Sequence, residues 1–171
     1  MPRGTRKLQI NRQQKHILLL ALFLLKYAHG KPHPLKRHVI GFIDTKNLIT
    51  IRPEDRKIVA TGEEAWENSI AFRRADLKAE GCLTMPDIGV WQITPAGERR
   101  LIEWCAVMNE FVALHPDWEK RLDSLEDFFE EKVVITKDAV LAAQSAFGIA
   151  KRLFADAVPE ISPEMRGRIR L

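Results

Sequence analysis

With 171 residues, 46% of them hydrophobic and 29% charged, the chain holds enough apolar material for one buried core or one small domain with an added helical segment, which excludes a disordered or low-complexity protein. Its two cysteines, Cys82 and Cys105, have neither metal-ligand nor redox spacing and read as buried thiols in a reducing cytoplasm. The net charge of +4 hides an asymmetry: nine of the 27 basic residues and none of the 23 acidic ones lie in the first 43 positions, so a basic front precedes a net acidic back and points to a polyanionic partner.

Residues 1–10 read as a basic flexible arm. Asn11 is suited to cap a first helix running to about Ala28, closed by Gly30 and the Lys31-Pro32-His33-Pro34 run. Its apolar stretch from Ile17 to Leu25, with Ala28-His29-Gly30 behind it, imitates a secretory signal and its cleavage site. Lys26 interrupts that approach, and the downstream core needs the helix, so a retained helix in a cytoplasmic protein is expected. The stretch also falls well short of the roughly 20 apolar residues that cross a bilayer. Pro34 precedes a second, short helix over Leu35 to Thr45, with Leu35, Val39, Phe42 and Ile43 at helical spacing. The link from Lys46 to Gly62 is long, with a strand-like piece at Leu48 to Ile51 and a turn at Arg52-Pro53-Glu54-Asp55.

Glu64 to Glu80 then reads as a helix whose inward stripe is Trp66, Ile70 and Leu77, stopped by Gly81. Leu83 on one side and Val90, Trp91 and Ile93 on the other bracket Met85-Pro86-Asp87-Ile88-Gly89, a reversal between two short strands. Val90 and Trp91 cannot both face the core, and the larger apolar surface places Trp91, with Ile93, inward. Thr94-Pro95 supplies a capping hydroxyl and a first-turn proline for the next helix, which runs to Leu114 with Leu101, Ile102, Cys105, Met108 and Val112 inward.

Helix, hairpin, helix is the order of a winged helix, in which the helix before the hairpin reads DNA. The residues Ile70-Ala71-Phe72, Leu77, Gly81, Leu83, Gly89-Val90-Trp91, Ile93-Thr94 and Gly97 resemble the N-terminal winged-helix domain of Mrr-type restriction proteins, over roughly Asn11 to Trp104. Two positions depart from that pattern: Arg73 stands where the family tends to have Ala, and the hairpin tip carries Asp87 and no Lys or Arg. The resemblance implies a DNA-recognition domain. In that family the domain is joined to a nuclease of the Pro-Asp, then acidic-x-Lys type, and here Pro116-Asp117 and Glu130-Glu131-Lys132 imitate the motif. That chemistry needs its carboxylates on neighbouring strands, whereas Trp118 to Glu131 has a helical pattern, so no catalytic residue, metal ligand or cofactor is assigned.

Beyond Pro116, Asp117 is suited to cap a helix over Trp118, Leu122, Leu125, Phe128 and Phe129 to about Lys132. Thr136 opens another through Leu141, Ala142, Ala146, Phe147 and Leu153. These apolar faces need cover, and pairing with a second copy through residues 116–157 is the expectation, with a basic tail over 158–171. The expected fold is thus mainly α with a small β-hairpin: a winged helix (winged helix-turn-helix) over 11–115 with a C-terminal helical extension.

The expected function is binding of double-stranded DNA to regulate or recruit other factors, without membrane attachment. On the reader helix, Asn68, Arg74 and Lys78 fall on flanking or outer arcs and suit adenine, guanine and phosphate respectively. Arg73 points inward and reaches from the core edge, and Lys36 and Arg37 at the start of the second helix complete the set. A protein-interaction module in a defence or regulatory complex is the alternative, favoured by the acidic back and by Asp87.

Overall fold

A run of nine apolar residues cannot lie on a surface, because at 3.6 residues per turn it presents an apolar side chain in every direction. The computed structural model describes residues 11–130 and 132–168; the basic arm over 1–10 and the last residues of the basic tail lie outside them. In it α1 (Asn11–Tyr27) is the central helix, with every residue from Ile17 to Leu25 buried. Five elements pack on it: α2 (Lys36–Thr45), α3 (Ala65–Ala79), β2 (Gln92–Ile93), α4 (Pro95–Leu114) and α6 (Lys137–Leu153). The protein is mainly helical with one small antiparallel sheet. Among the described residues no helix is long and apolar enough to cross a membrane.

β1 (Leu83–Thr84) pairs antiparallel with β2, Leu83 opposite Ile93 and Thr84 opposite Gln92. A single antiparallel bridge joins Leu35 to Val90, and the Trp91 N–H donates to the Pro34 carbonyl at 2.9 Å, so the entrance to α2 is stitched to the hairpin. Alternation puts Trp91 and Ile93 inward as expected, each only 3% exposed.

The local stop and start signals act as the sequence predicts. Gly81 adopts φ +79°, its N–H bonds the Lys78 carbonyl at 3.1 Å and the Cys82 N–H bonds the Leu77 carbonyl at 2.9 Å, the paired bonds that close a helix on a left-handed residue. Thr94 Oγ1 accepts from the Gly97 N–H at 3.1 Å, and Thr136 Oγ1 from the Ala139 N–H at 3.1 Å, capping α4 and α6.

The C-terminal third departs from expectation. In place of one helix from Trp118 there are 3-10 turns at Trp118–Lys120 and Leu122–Ser124, then α5 (Leu125–Phe129), which ends at Glu130 with φ +56°. Pro116 and Asp117 start the segment, but the Asp117 carboxylate is bonded by Arg121 Nε at 3.0 Å and makes no cap bond, and a 3-10 turn lets Trp118 reach the core. α6 buries Ala139, Val140, Ala143, Ala146, Phe147 and Ala150 within the chain, packing most extensively on α4 and also on α1. Leu141 and Leu153, read from the sequence as part of an apolar face in need of cover, are exposed. Ala146 and Phe147, two residues of the face expected to pair with a second copy, are thus buried against the chain's own helices, where the small residues of α6 permit close approach. The tail contains α7 (Pro163–Arg168), held to α4 by Arg166 Nε and Glu110 at 2.8 Å.

Gln13, on the first turn of α1, fastens the extended segment before α6. Its Nε2 donates to the Lys132 carbonyl at 2.7 Å, and its Oε1 accepts from the N–H groups of Val134 and Ile135 at 2.8 and 3.3 Å. The strand-like piece expected at Leu48 to Ile51 supplies the other edge: Ile49 bridges Ile135, and the Thr50 N–H donates to the Val134 carbonyl at 2.7 Å.

Two outcomes follow from this packing. A Cβ on Gly97 would lie 2.1 Å from the Cys82 carbonyl oxygen and 2.9 Å from Ile93 Cγ1, so Gly97→Ala must push α4 off the hairpin. It should cost about 3 kcal/mol, read as a lowered urea midpoint. Truncation after Leu114 removes α6 from α1 and α4, and the product should lose the cooperative thermal transition and bind a hydrophobic dye.

Candidate nucleic-acid interface

α3 is an amphipathic helix that turns Trp66, Ile70, Arg73 and Leu77 into the core. Its outer side consists of Phe72, Ala75, Lys78 and Ala79, with Glu67, Asn68, Ala71, Arg74 and Asp76 half-buried at its flanks. Phe72 is 53% exposed, a large apolar side chain at the middle of the helix.

The six expected contact residues occupy five different environments. Lys78 and Arg37 are exposed and, among the described residues, make no ion pair. Lys36 is bound to the Glu63 carboxylate just before α3. Arg74 lies on the hairpin, with Nη1 2.7 Å from Met85 Sδ and the guanidinium 5.8 Å from the Trp91 ring centroid. Asn68 lines a cavity beside α3. Arg73 is 8% exposed, as its inward position predicted, with Nε 3.1 Å from the Asp76 carboxylate. That contact balances charge without hydrogen-bond geometry, since Arg73 Nε and Nη1 have no hydrogen-bond partner among the described residues.

Charge is distributed unevenly along the helix. At its start Arg56 bridges Asp44 at 3.3 Å and Glu64 at 3.1 Å, and Glu63, Glu64 and Glu67 make this end acidic. At its far end Glu80 is gripped by Lys15 at 2.7 Å and Arg100 at 3.0 Å. Burial opposes the charge on Glu80, but the hydrogen bonds from Lys15 and Arg100 outweigh it and hold the carboxyl below its ordinary value. The nuclease-like residues stay apart in kind: Asp117 serves Arg121, Glu130 lies 3.9 Å from Arg12, and Glu131 is outside the described residues. Among the described residues no group of three or more His, Cys, Asp or Glu could hold a metal ion.

Two features were missed from sequence. One is the fully exposed Ile88 at the hairpin tip, beside Asp87, which period-2 reasoning does not address because it lies in the turn. The other is the pair of cavities against the first turns of α1. One, of about 420 Å³, involves Gln14; the other, of about 360 Å³, lies between Arg12, His16, Arg100, Trp104, Phe128 and Phe129. The signal was available: Gln13 and Gln14 are polar residues at the head of a helix that is buried all round.

Comparison with protein-family models, with curated proteins and with solved structures finds no match to the chain.

His16 gives this region a pH dependence. Its ring is stacked on Trp104, centroids 5.3 Å apart and 6° from parallel, and burial, followed by the Arg100 guanidinium, pushes its pKa down to about 3. The folded protein therefore keeps His16 neutral while the unfolded chain takes up a proton near pH 6.5. Stability should fall as pH drops from about 6.5 towards 3, at no more than about 1.4 kcal/mol per pH unit from this group, and the cavity's open mouth lowers that figure. Urea midpoints for the parent and His16→Gln should diverge less as pH falls, because the variant lacks this loss.

Proposed function

We propose that the chain is a winged-helix protein that binds duplex DNA and recruits or regulates other factors through that contact. The observation that carries this reading is the order of elements around α3. The entrance to α2 is bridged to the hairpin through Leu35 and Val90, α3 runs directly into β1, and its outer side is left uncovered by the other described residues. In a winged helix that is the surface offered to the major groove. Ala75 and Ala79 let the helix backbone come close, Lys78 reaches phosphate, and Arg37 at the head of α2 reaches a second phosphate on the same duplex. Arg74 contributes by leaving Met85 for a base edge, and Asn68 by turning out of the cavity wall.

A second reading, a protein-interaction module, is favoured by one observation: the outer side of α3 is apolar around Phe72 and acidic at its start, and the hairpin tip presents Ile88 and Asp87 where a phosphate grip would need a cation.

Fluorescence anisotropy of a labelled random duplex, titrated at several salt concentrations, separates the two. A DNA binder loses affinity steeply with salt, and Arg37→Ala with Lys78→Ala should reduce the slope of log K against log salt by about 2, roughly one per phosphate. Absence of duplex binding at low salt, or an unchanged slope in the double variant together with unchanged affinity, removes α3 as the reader. Loss of a protein partner on Phe72→Ser would then establish the second reading.

A further inference from the structure

From the cavity beneath α3 we infer that the protein has a binding site for a small carboxylic acid with an aromatic or branched apolar body. The cavity, of about 420 Å³, lies in the size range of small-molecule sites and is built from three separate parts of the chain: α1, α3 with the link before it, and the segment leading to α6. Trp66, Val59, Ile49, Val133 and Val134 give it apolar walls, and Phe72 stands at its rim.

Its polar groups are arranged for an acceptor. Gln14 is 4% exposed, and its Oε1 is taken by the Ser69 hydroxyl at 2.8 Å. Its amide nitrogen makes no hydrogen bond among the described residues, yet it is not one of the atoms sealed from solvent. A residue this buried that also lines the cavity can open only into it, so the amide N–H groups are donors aimed at whatever the cavity holds. Leaving such a donor without a partner is costly, and a bound water or a ligand oxygen relieves it. The Asn68 amide, on the same wall, is likewise without a side-chain hydrogen bond among the described residues.

The cavity also has charged groups. Arg52 and Lys132 line it, and neither cation has an ion-pair partner among the described residues. Glu54 and Asp55 line it too, but one Asp55 oxygen already accepts the Arg52 N–H at 2.9 Å, and Glu54 is exposed on a 3-10 turn. A carboxylate therefore meets unused amide donors, the half-exposed Arg52 and the exposed Lys132, both unpaired among the described residues, while a cation would find one engaged and one solvated acid. The backbone of the far wall adds nothing to this choice, because the Val134 N–H and carbonyl are consumed by Gln13 and Thr50. The site stands on its own geometry and does not require the DNA-binding reading.

The experiment is a protein-observed NMR titration with phenylacetate and 3-methylbutanoate, using benzylamine and phenylacetamide as charge controls. The two carboxylates should shift the Trp66 indole N–H and the Asn68 and Ser69 signals, with a Kd near about 1 mM, the scale for ligands of this size. Benzylamine should leave those signals in place, and phenylacetamide should bind at least about tenfold more weakly, since a hydrogen bond to a charged group is the stronger one. Gln14→Met, which keeps the volume and removes the donor, should weaken phenylacetate by about tenfold or more. Arg52→Ala, at a half-exposed position where folding is not at stake, should weaken it by a few-fold. The inference is overturned if neither carboxylate moves these signals, if benzylamine moves them equally, or if Arg52→Ala and a folded Gln14→Met both bind as the parent does.

Discussion

The burial of α1 on every side is the constraint from which the rest of the structure follows. Each face of the stretch from Ile17 to Leu25 carries two or three large apolar side chains. Exposing one face would cost about 5 kcal/mol at roughly 2 kcal/mol per side chain, comparable with the whole net stability of an ordinary domain. α4 and α6 supply the cover for the remaining faces by packing on α1 and on each other.

Gln13 at the head of α1 makes that closure specific. Apolar cover alone would allow α6 to slide along α1, whereas Gln13 fixes the Lys132 carbonyl and the N–H groups of Val134 and Ile135 in one register. Thr136 extends the same seam by donating to the Asn47 carbonyl, and Asn47 Nδ2 donates to the Asp138 carboxylate at 3.0 Å. The long link after α2, which lengthens the path to α3, is thus the strip against which the C-terminal segment is laid. Its cost in loop entropy is offset by these bonds.

What was legible in the sequence is what depends on near neighbours. Gly81, Thr94 and Thr136 terminate or begin helices through bonds within a few residues, and the inward Trp91 and Ile93 follow from alternation along one strand. What was illegible depends on partners distant in sequence. The apolar spacing from Trp118 to Phe129 is real, but it is met by turns that deliver Trp118 and Leu125 to the core, and periodicity does not say whether such a face is covered by its own chain or another. The run from Ile17 to Leu25 does carry one part of it: nine apolar residues in succession require cover all round, and α6 supplies a share of that cover. Helical-wheel reasoning placed Arg73 inward, where it is buried, and Asn68 and Arg74 on flanking or outer arcs, where they lie half-buried at the flanks. It could not foresee that Asn68 would form a cavity wall with Gln14, or that Arg74 would be drawn onto Trp91.

The environments of those side chains set how far α3 can change its surface. The Lys36–Glu63 pair is partly exposed, and such pairs contribute about 0.2–1 kcal/mol, so a phosphate or a partner's carboxylate could exchange with Glu63 at little cost. Arg74 rests on a thioether and an aromatic face, contacts of similar size at a half-exposed position, and it too can leave. Arg73 cannot. Its guanidinium is inside the protein beside Asp76, and a buried charge separated from its counter-charge costs several kcal/mol. Any recognition by α3 therefore rests on side chains that are exchangeable or already free, with Phe72 and the two alanines as the unchanging part of the surface.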